Sequence, residues 1–121
     1  MLLDSNIIIY AAQSENQFLR DFIAKHSPCV SVISYLEVLG YHRLTTSDRK
    51  YFEAFFYAAQ VLEISQNVIV KAIDLKQTRK ISLGDSLIAS TALVNNLALV
   101  TRNVEDFVWV PQLEILNPFD D

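Results

Sequence analysis

Cysteine occurs once in this chain, as Cys29, so no disulfide can form within it and no cysteine zinc site can be assembled. A reducing, cytoplasmic setting is the expectation, with Cys29 itself in the core of a buried strand. Glycine is almost as scarce. With only Gly40 and Gly84, the chain has no glycine-rich phosphate loop and no dinucleotide fingerprint, each of which needs several glycines at fixed spacing. Histidine is limited to His26 and His42, neither with a histidine four residues away. Zinc and serine-hydrolase chemistry therefore fit poorly, and both histidines are expected at the surface or at helix ends. No apolar run approaches the roughly 18 residues of a membrane span. The N-terminus has no basic start, and Asp4 arrives too early for a signal peptide. A soluble protein with no membrane role is expected.

What the chain does have is apolar residues, 51% of its 121 positions, without repeat, low-complexity tract or linker. One domain over residues 1–121, with a well-filled core, follows. The net charge of −4 argues at first against nucleic acid, which is usually met by a basic face. That objection weakens if several acids share a metal site, where bound cations cancel them. Basic residues remain at Arg43, at Arg49 and Lys50, at Lys76, Arg79 and Lys80, and at Arg102.

Strand and helix signals alternate. Short apolar or β-rich runs at Met1–Leu3, Cys29–Val32, Val61–Ile64, Leu97–Val100 and Leu113–Leu116 predict strands. Between them, Phe18, Leu19, Phe22 and Ile23 keep helical spacing, and so do Val68, Ile69, Ala72 and Ile73. Ser14 with Gln17 reads as a capping box, Thr45 to Ser47 offer caps for a helix through about Gln60, and Ser65 caps the next. A loop is expected from Arg79 to Gly84, then a helix from about Asp85 to Asn95. The aromatic run 51–57 predicts a core stripe of Phe52, Phe55, Phe56 and Ala59, with Tyr51 and Tyr57 beside it; a protein-binding or dimer face is the alternative. The alternation implies an α/β fold with a mainly parallel central sheet flanked by helices on both faces. Ligands then bind beyond the carboxyl ends of the strands.

Four segments place an acid beside an apolar run: Leu2 to Asn6 with Asp4, Ser34 to Gly40 with Glu37, Leu83 to Ala89 with Asp85, and Thr101 to Phe107 with Asp106. Each acid has a plain alternative. Asp4 and Asp85 stand where helix caps belong, Glu37 suits a half-buried helix, and Asp106 suits a turn. Taken together they suggest a nest of carboxylates at one sheet edge, the donor set that suits magnesium or manganese. Ser5, Asn6, Thr101 and Asn103 add hydroxyl and amide oxygens to that edge.

On these residues the chain resembles the PIN-domain family of metal-dependent ribonucleases, in particular its small VapC-type toxins, nearly end to end. Leu3-Asp4-Ser5-Asn6 is similar to the family's opening motif, Glu37 with Gly40 to its helical Glu, and Asp85 with Ile88, Ala89 and Ala92 to its Asp-led helix start. Thr101-Arg102-Asn103 with Asp106-Phe107 resembles the terminal motif, and Leu116-Asn117-Pro118 a frequent ending. Asn103 departs from it, since many relatives carry a metal-site Asp there; Ser5 replaces a commoner Thr and keeps the hydroxyl.

The resemblance implies a three-layer PIN-like fold, endonucleolytic cleavage of RNA, a homodimer, and a cognate antitoxin that blocks the site. It implies that Asp4, Glu37, Asp85 and Asp106 hold Mg2+ or Mn2+ and activate water for attack on phosphorus. Ser5, Asn6, Thr101 and Asn103 support them, and Arg102 is the candidate phosphate contact. Mutual repulsion among the acids is expected to raise some of their pKa values. Two other classes stay open: a PIN-like module that binds RNA or protein without cutting, and a phosphatase with Asp4 as nucleophile. The phosphatase is disfavoured because Asn6 stands where a second Asp is usual.

Overall fold

The computed structural model describes residues 1–120. Five short strands, β1 (Leu2–Leu3), β2 (Cys29–Ser31), β3 (Val61–Leu62), β4 (Leu99–Val100) and β5 (Ile115–Leu116), alternate with six helices. The helices are α1 (Ser5–Ala11), α2 (Gln17–His26), α3 (Val32–Leu39), α4 (Thr46–Ala58), α5 (Gln66–Thr78) and α6 (Leu83–Val94). All five expected strands are present but shorter than their apolar runs. A turn of 3-10 helix at Val104–Asp106 separates β4 from the last loop.

The sheet order is β3-β2-β1-β4-β5, and every adjacent pair is parallel. Side chains alternate between the sheet's faces. Leu3 lies level with Val30 and Val100, and these three join a core with Ile7, Ile8, Leu19, Val38, Phe52 and Phe56. Leu2 and Leu99 turn the other way, onto Leu75, Ile88, Ala89, Ala92, Phe107 and Val110. A three-layer α/β sandwich results. Helix α6 is buried continuously from Ser86 to Ala92, which its small residues permit. Thr91 and Ser86 satisfy their hydroxyls on the helix's own carbonyls at 2.7 Å.

Local signals were mostly read correctly, with two corrections. Thr45 and Ser65 accept the N–H groups of Asp48 and Val68, as caps should. Ser14 and Gln17 form no capping box. Asn16 holds the cap position of α2, and its amide instead bonds Tyr10 O and Gln13 Oε1. Helix α6 begins at Leu83, two residues before the expected start, because Ser82 rather than Asp85 is its cap. The aromatic stripe of α4 packs as core through Phe52 and Phe56, with Phe55 and Ala59 half-buried and Tyr57 95% exposed. His26 and His42 are exposed, and Cys29 is half-buried at the start of β2. No helix among the described residues is long and apolar enough to cross a membrane.

Candidate active site

The chain leaves β1 for β2 and β3 on one side and returns to β4 and β5 on the other. The carboxyl ends of β1 and β4 therefore flank a topological switch point, where α/β sheets bind ligands. Asp4 follows β1 directly, and its N–H bonds the Val100 carbonyl at 2.9 Å. Although it stands at the cap position of α1, its side chain makes no capping hydrogen bond. Its Oδ2 instead accepts the Thr101 hydroxyl at 2.8 Å. Thr101 is fully buried, and its Oγ1 also accepts the Asn103 N–H at 3.0 Å. One hydroxyl thus ties β1, β4 and the turn after β4 together.

Burial is the main cost at Asp4. The residue is 5% exposed, and its pKa is raised from 3.8 to about 6. Burial contributes most of the rise, the Thr101 hydrogen bond opposes it, and the charges of Asp85 and then Glu37 add to it. Asp85, in the first turn of α6, is also raised, again chiefly by burial, then by the charge of Asp106, with Glu37 adding less. Ser82 Oγ accepts the Asp85 N–H at 3.1 Å, and its hydrogen bond to the carboxylate holds that rise back. Repulsion among the acids is thus present, but desolvation outweighs it.

Glu37 is exposed on α3, and Ser5 orients it. The Ser5 hydroxyl donates to Glu37 Oε1 at 2.8 Å and shares a 2.8 Å hydrogen bond with the buried Ser34. On its other side Glu37 approaches the backbone of α6. A Cβ built on Gly84 would lie 2.7 Å from Glu37 Oε2, so the glycine leaves room for the carboxylate.

Asp106 is exposed at the end of the 3-10 turn, and its carbonyl accepts the Trp109 Nε1–H at 2.9 Å. With Arg102, Asn103 and Asn117 it lines a cleft of about 540 Å³. Arg102 is exposed and lies over the Phe119 and Tyr10 rings, 4.1 and 5.1 Å from their centroids. Asn6 is exposed, and no hydrogen bond ties its amide to any of the four acids.

Carboxylates from four distant segments therefore come near one another: Asp4 feels the charges of Asp85 and Glu37, and Asp85 those of Asp106 and Glu37. No lysine or arginine forms an ion pair with any of them among the described residues. Hard oxygen donors, two of them with pKa raised by burial that their hydrogen bonds only partly offset, suit a divalent cation in their chemistry. As the side chains lie, no three of the described His, Cys, Asp or Glu residues stand close enough to hold one ion.

Sequence reasoning missed Ser34, Ser82 and the role of Gly84. Two signals were available: Ser34 sits three residues before Glu37 on one helical face, and Ser82-Leu83-Gly84-Asp85 has the spacing of a capping box.

Comparison with known proteins bears on the fold and the family. A curated relative, Ribonuclease VapC of Rickettsia bellii (strain RML369-C), is 32% identical over 94 residues, covering 76% of this chain. The match spans 58% of that relative's length. DNA-bound VapBC from Salmonella typhimurium superposes with a TM-score of 0.85 at 19% identity, covering 97% of this chain and 96% of that one. A toxin–antitoxin complex from Klebsiella pneumoniae gives 0.78 at 24% identity, covering 99% and 98%. Both establish likeness of fold. The PIN domain family model matches residues 1–109, and the chain belongs to the PIN domain family.

Proposed function

We propose that this protein is a metal-dependent endoribonuclease, the toxin of a VapBC-type toxin–antitoxin pair. The observation that carries the proposal is the gathering of Asp4, Glu37, Asp85 and Asp106 at the carboxyl edge of a parallel sheet, with Asp4 buried and raised to about 6. A buried carboxylate without a cationic side chain is costly, and above its raised pKa a bound cation offsets that cost. Asp4, Glu37, Asp85 and Asp106 would hold Mg2+ or Mn2+, both of which favour carboxylate oxygens. The ion, when bound, supplies Lewis-acid stabilisation of charge on the phosphodiester and makes water more acidic.

The chain's own residues do the rest. Thr101 fixes Asp4, Ser5 fixes Glu37, and Ser82 fixes the first turn of α6. Arg102 offers its guanidinium to a phosphate at the cleft. Asn103 lends an amide at the same rim. No histidine takes part.

Residues 1–121 form one nuclease domain in this proposal, acting on RNA in the cytoplasm as a homodimer held in check by a cognate antitoxin. Support for the antitoxin comes from the toxin–antitoxin complexes among the proteins of like fold, and for the activity from the ribonuclease relative.

One observation favours a second reading, a PIN-like module that binds RNA or protein without cutting: no three acids lie within reach of one ion. Incubation of purified protein with structured RNA separates the two. Cleavage with Mg2+ or Mn2+ that stops with EDTA, and in Asp4→Asn and Asp85→Asn, selects the enzyme. Cleavage that persists in both variants rules out this assignment of the site.

A further inference from the structure

A second arginine is fixed on an aromatic ring beside the site. Arg79, at the end of α5, lies 5.2 Å from the centroid of the Trp109 ring. The Trp109 indole N–H is anchored on the Asp106 carbonyl at 2.9 Å, and Asp106 is the charge that Asp85 feels most. The loop carrying Arg79 runs directly into the Ser82 cap of α6. It is braced from behind by Lys76, whose Nζ donates to the Ile81 carbonyl at 2.9 Å. Arg79 and Lys80 are exposed and form no ion pair among the described residues.

The two arginines stand on opposite faces of the sheet. Phe119 and Tyr10, beneath Arg102, pack on the core that contains Leu3 and Val100. Trp109, beneath Arg79, packs on the core that contains Leu2 and Leu99. Asp106 links them: it shares the cleft with Arg102, and its carbonyl holds the indole beneath Arg79. An arginine resting on an aromatic face loses little further freedom when its N–H groups meet a phosphate. The exposed guanidinium of Arg79 also offers a plane on which an unpaired base can stack. A chain of net charge −4 with four acids at one edge repels a polyanion unless cations flank that edge.

We propose that Arg79, held on Trp109, is a second backbone contact for single-stranded RNA, so that the strand crosses the acidic edge from Arg102 to Arg79. This rests on the nuclease reading above. It extends that reading by a backbone contact that Arg102 does not supply.

The test is equilibrium binding of a fluorescein-labelled 20-nucleotide single-stranded RNA, and of the same sequence as a duplex. Full-length protein in an Asp85→Asn background with Mg2+ is used, over a range of KCl concentrations. Arg79→Ala is expected to weaken single-strand binding roughly tenfold and to flatten the log–log salt slope by about 0.7, one phosphate contact on a single strand. Arg79→Glu should weaken binding further, and Arg79→Lys should restore the slope but not the whole affinity, which a merely structural role would not do. The duplex should bind more weakly than the single strand.

If Arg102→Ala lowers affinity while Arg79→Ala and Arg79→Glu leave affinity and slope unchanged, the second contact is overturned and the nuclease reading stands. Equal binding of duplex and single strand overturns the assignment of the contact to a single strand. If the parent protein binds neither RNA, both proposals fall together.

Discussion

Asp4 carries the sharpest residue-scale consequence. Its folded pKa of about 6 lies above the ordinary 3.8, so its contribution to stability is full below about pH 3.8 and is lost as pH rises through about 6. In EDTA the protein should therefore be about 1 kcal/mol less stable at pH 7.5 than at pH 5.5 from this group alone. Asp85 is raised in the same direction, so its contribution also declines as pH rises. Asp4→Asn keeps an acceptor for the Thr101 hydroxyl and removes the buried charge. It should stabilise the metal-free protein by about 2 kcal/mol at pH 7.5 and shrink its pH dependence. Urea unfolding at the two pH values reads both effects; a destabilised Asp4→Asn at pH 7.5 would contradict the burial account.

Gly84 makes a second residue-scale case. Alanine is the better helix former by as much as about 1 kcal/mol, yet its methyl group would meet Glu37 Oε2. The far end of a flexible side chain can move aside, so Gly84→Ala should cost no stability while displacing the carboxylate that Ser5 orients. RNA cleavage should fall severalfold at an unchanged melting temperature. Cleavage at the parent rate would show that the position of Glu37 is not critical.

At the scale of elements, two-residue strands cannot hold a sheet edge in register alone, and the Thr101–Asp4 hydrogen bond supplements β1 and β4. Thr101→Val removes the donor from a buried carboxylate. The cost should be on the order of 2 kcal/mol at pH 7.5, falling at pH 5 as Asp4 protonates, in chemical unfolding experiments. An equal loss at both pH values would mean that the bond to the Asn103 N–H, not the one to Asp4, is what the Thr101 hydroxyl supplies, since valine keeps the methyl group. Ser82→Ala should cost about 1 kcal/mol through the cap of α6.

Apolar runs were enough to find every strand, because a parallel sheet buried on both faces leaves continuous apolar stretches, and the caps of α4 and α5 were legible at Thr45 and Ser65. The start of α6 was misplaced because Asp85 is also a good cap, and only the three-residue spacing from Ser82 decides between them. Asn16 defeated the capping-box reading at Ser14 because its amide is taken by the tail of α1. The four acids were legible as a set from their places after strands and in helices. Among their supports, the reach of Ser34 to Ser5 across 29 residues and the space left empty at Gly84 were not. Desolvation as the leading cause of the Asp4 shift was likewise hidden, because burial depends on the assembled sheet.

At the scale of the whole molecule, the switch point of the sheet brings chain segments 97 residues apart into one hydrogen bond and buries Asp4 with no cationic side chain paired to it among the described residues. A ligand that binds only this arrangement stabilises the folded state by mass action. Mn2+ should raise the melting temperature by several degrees in the parent protein and far less in Asp85→Asn. An equal rise in both would place the ion elsewhere.

Isothermal titration of Mn2+ into the protein at pH 6, repeated in two buffers of different ionisation enthalpy, tests the shared-cation claim most directly. The account predicts saturable binding accompanied by proton release, with affinity lost in Asp4→Asn, Glu37→Gln and Asp85→Asn alike. Binding of parent strength in all three variants, with no buffer-dependent heat, would contradict it.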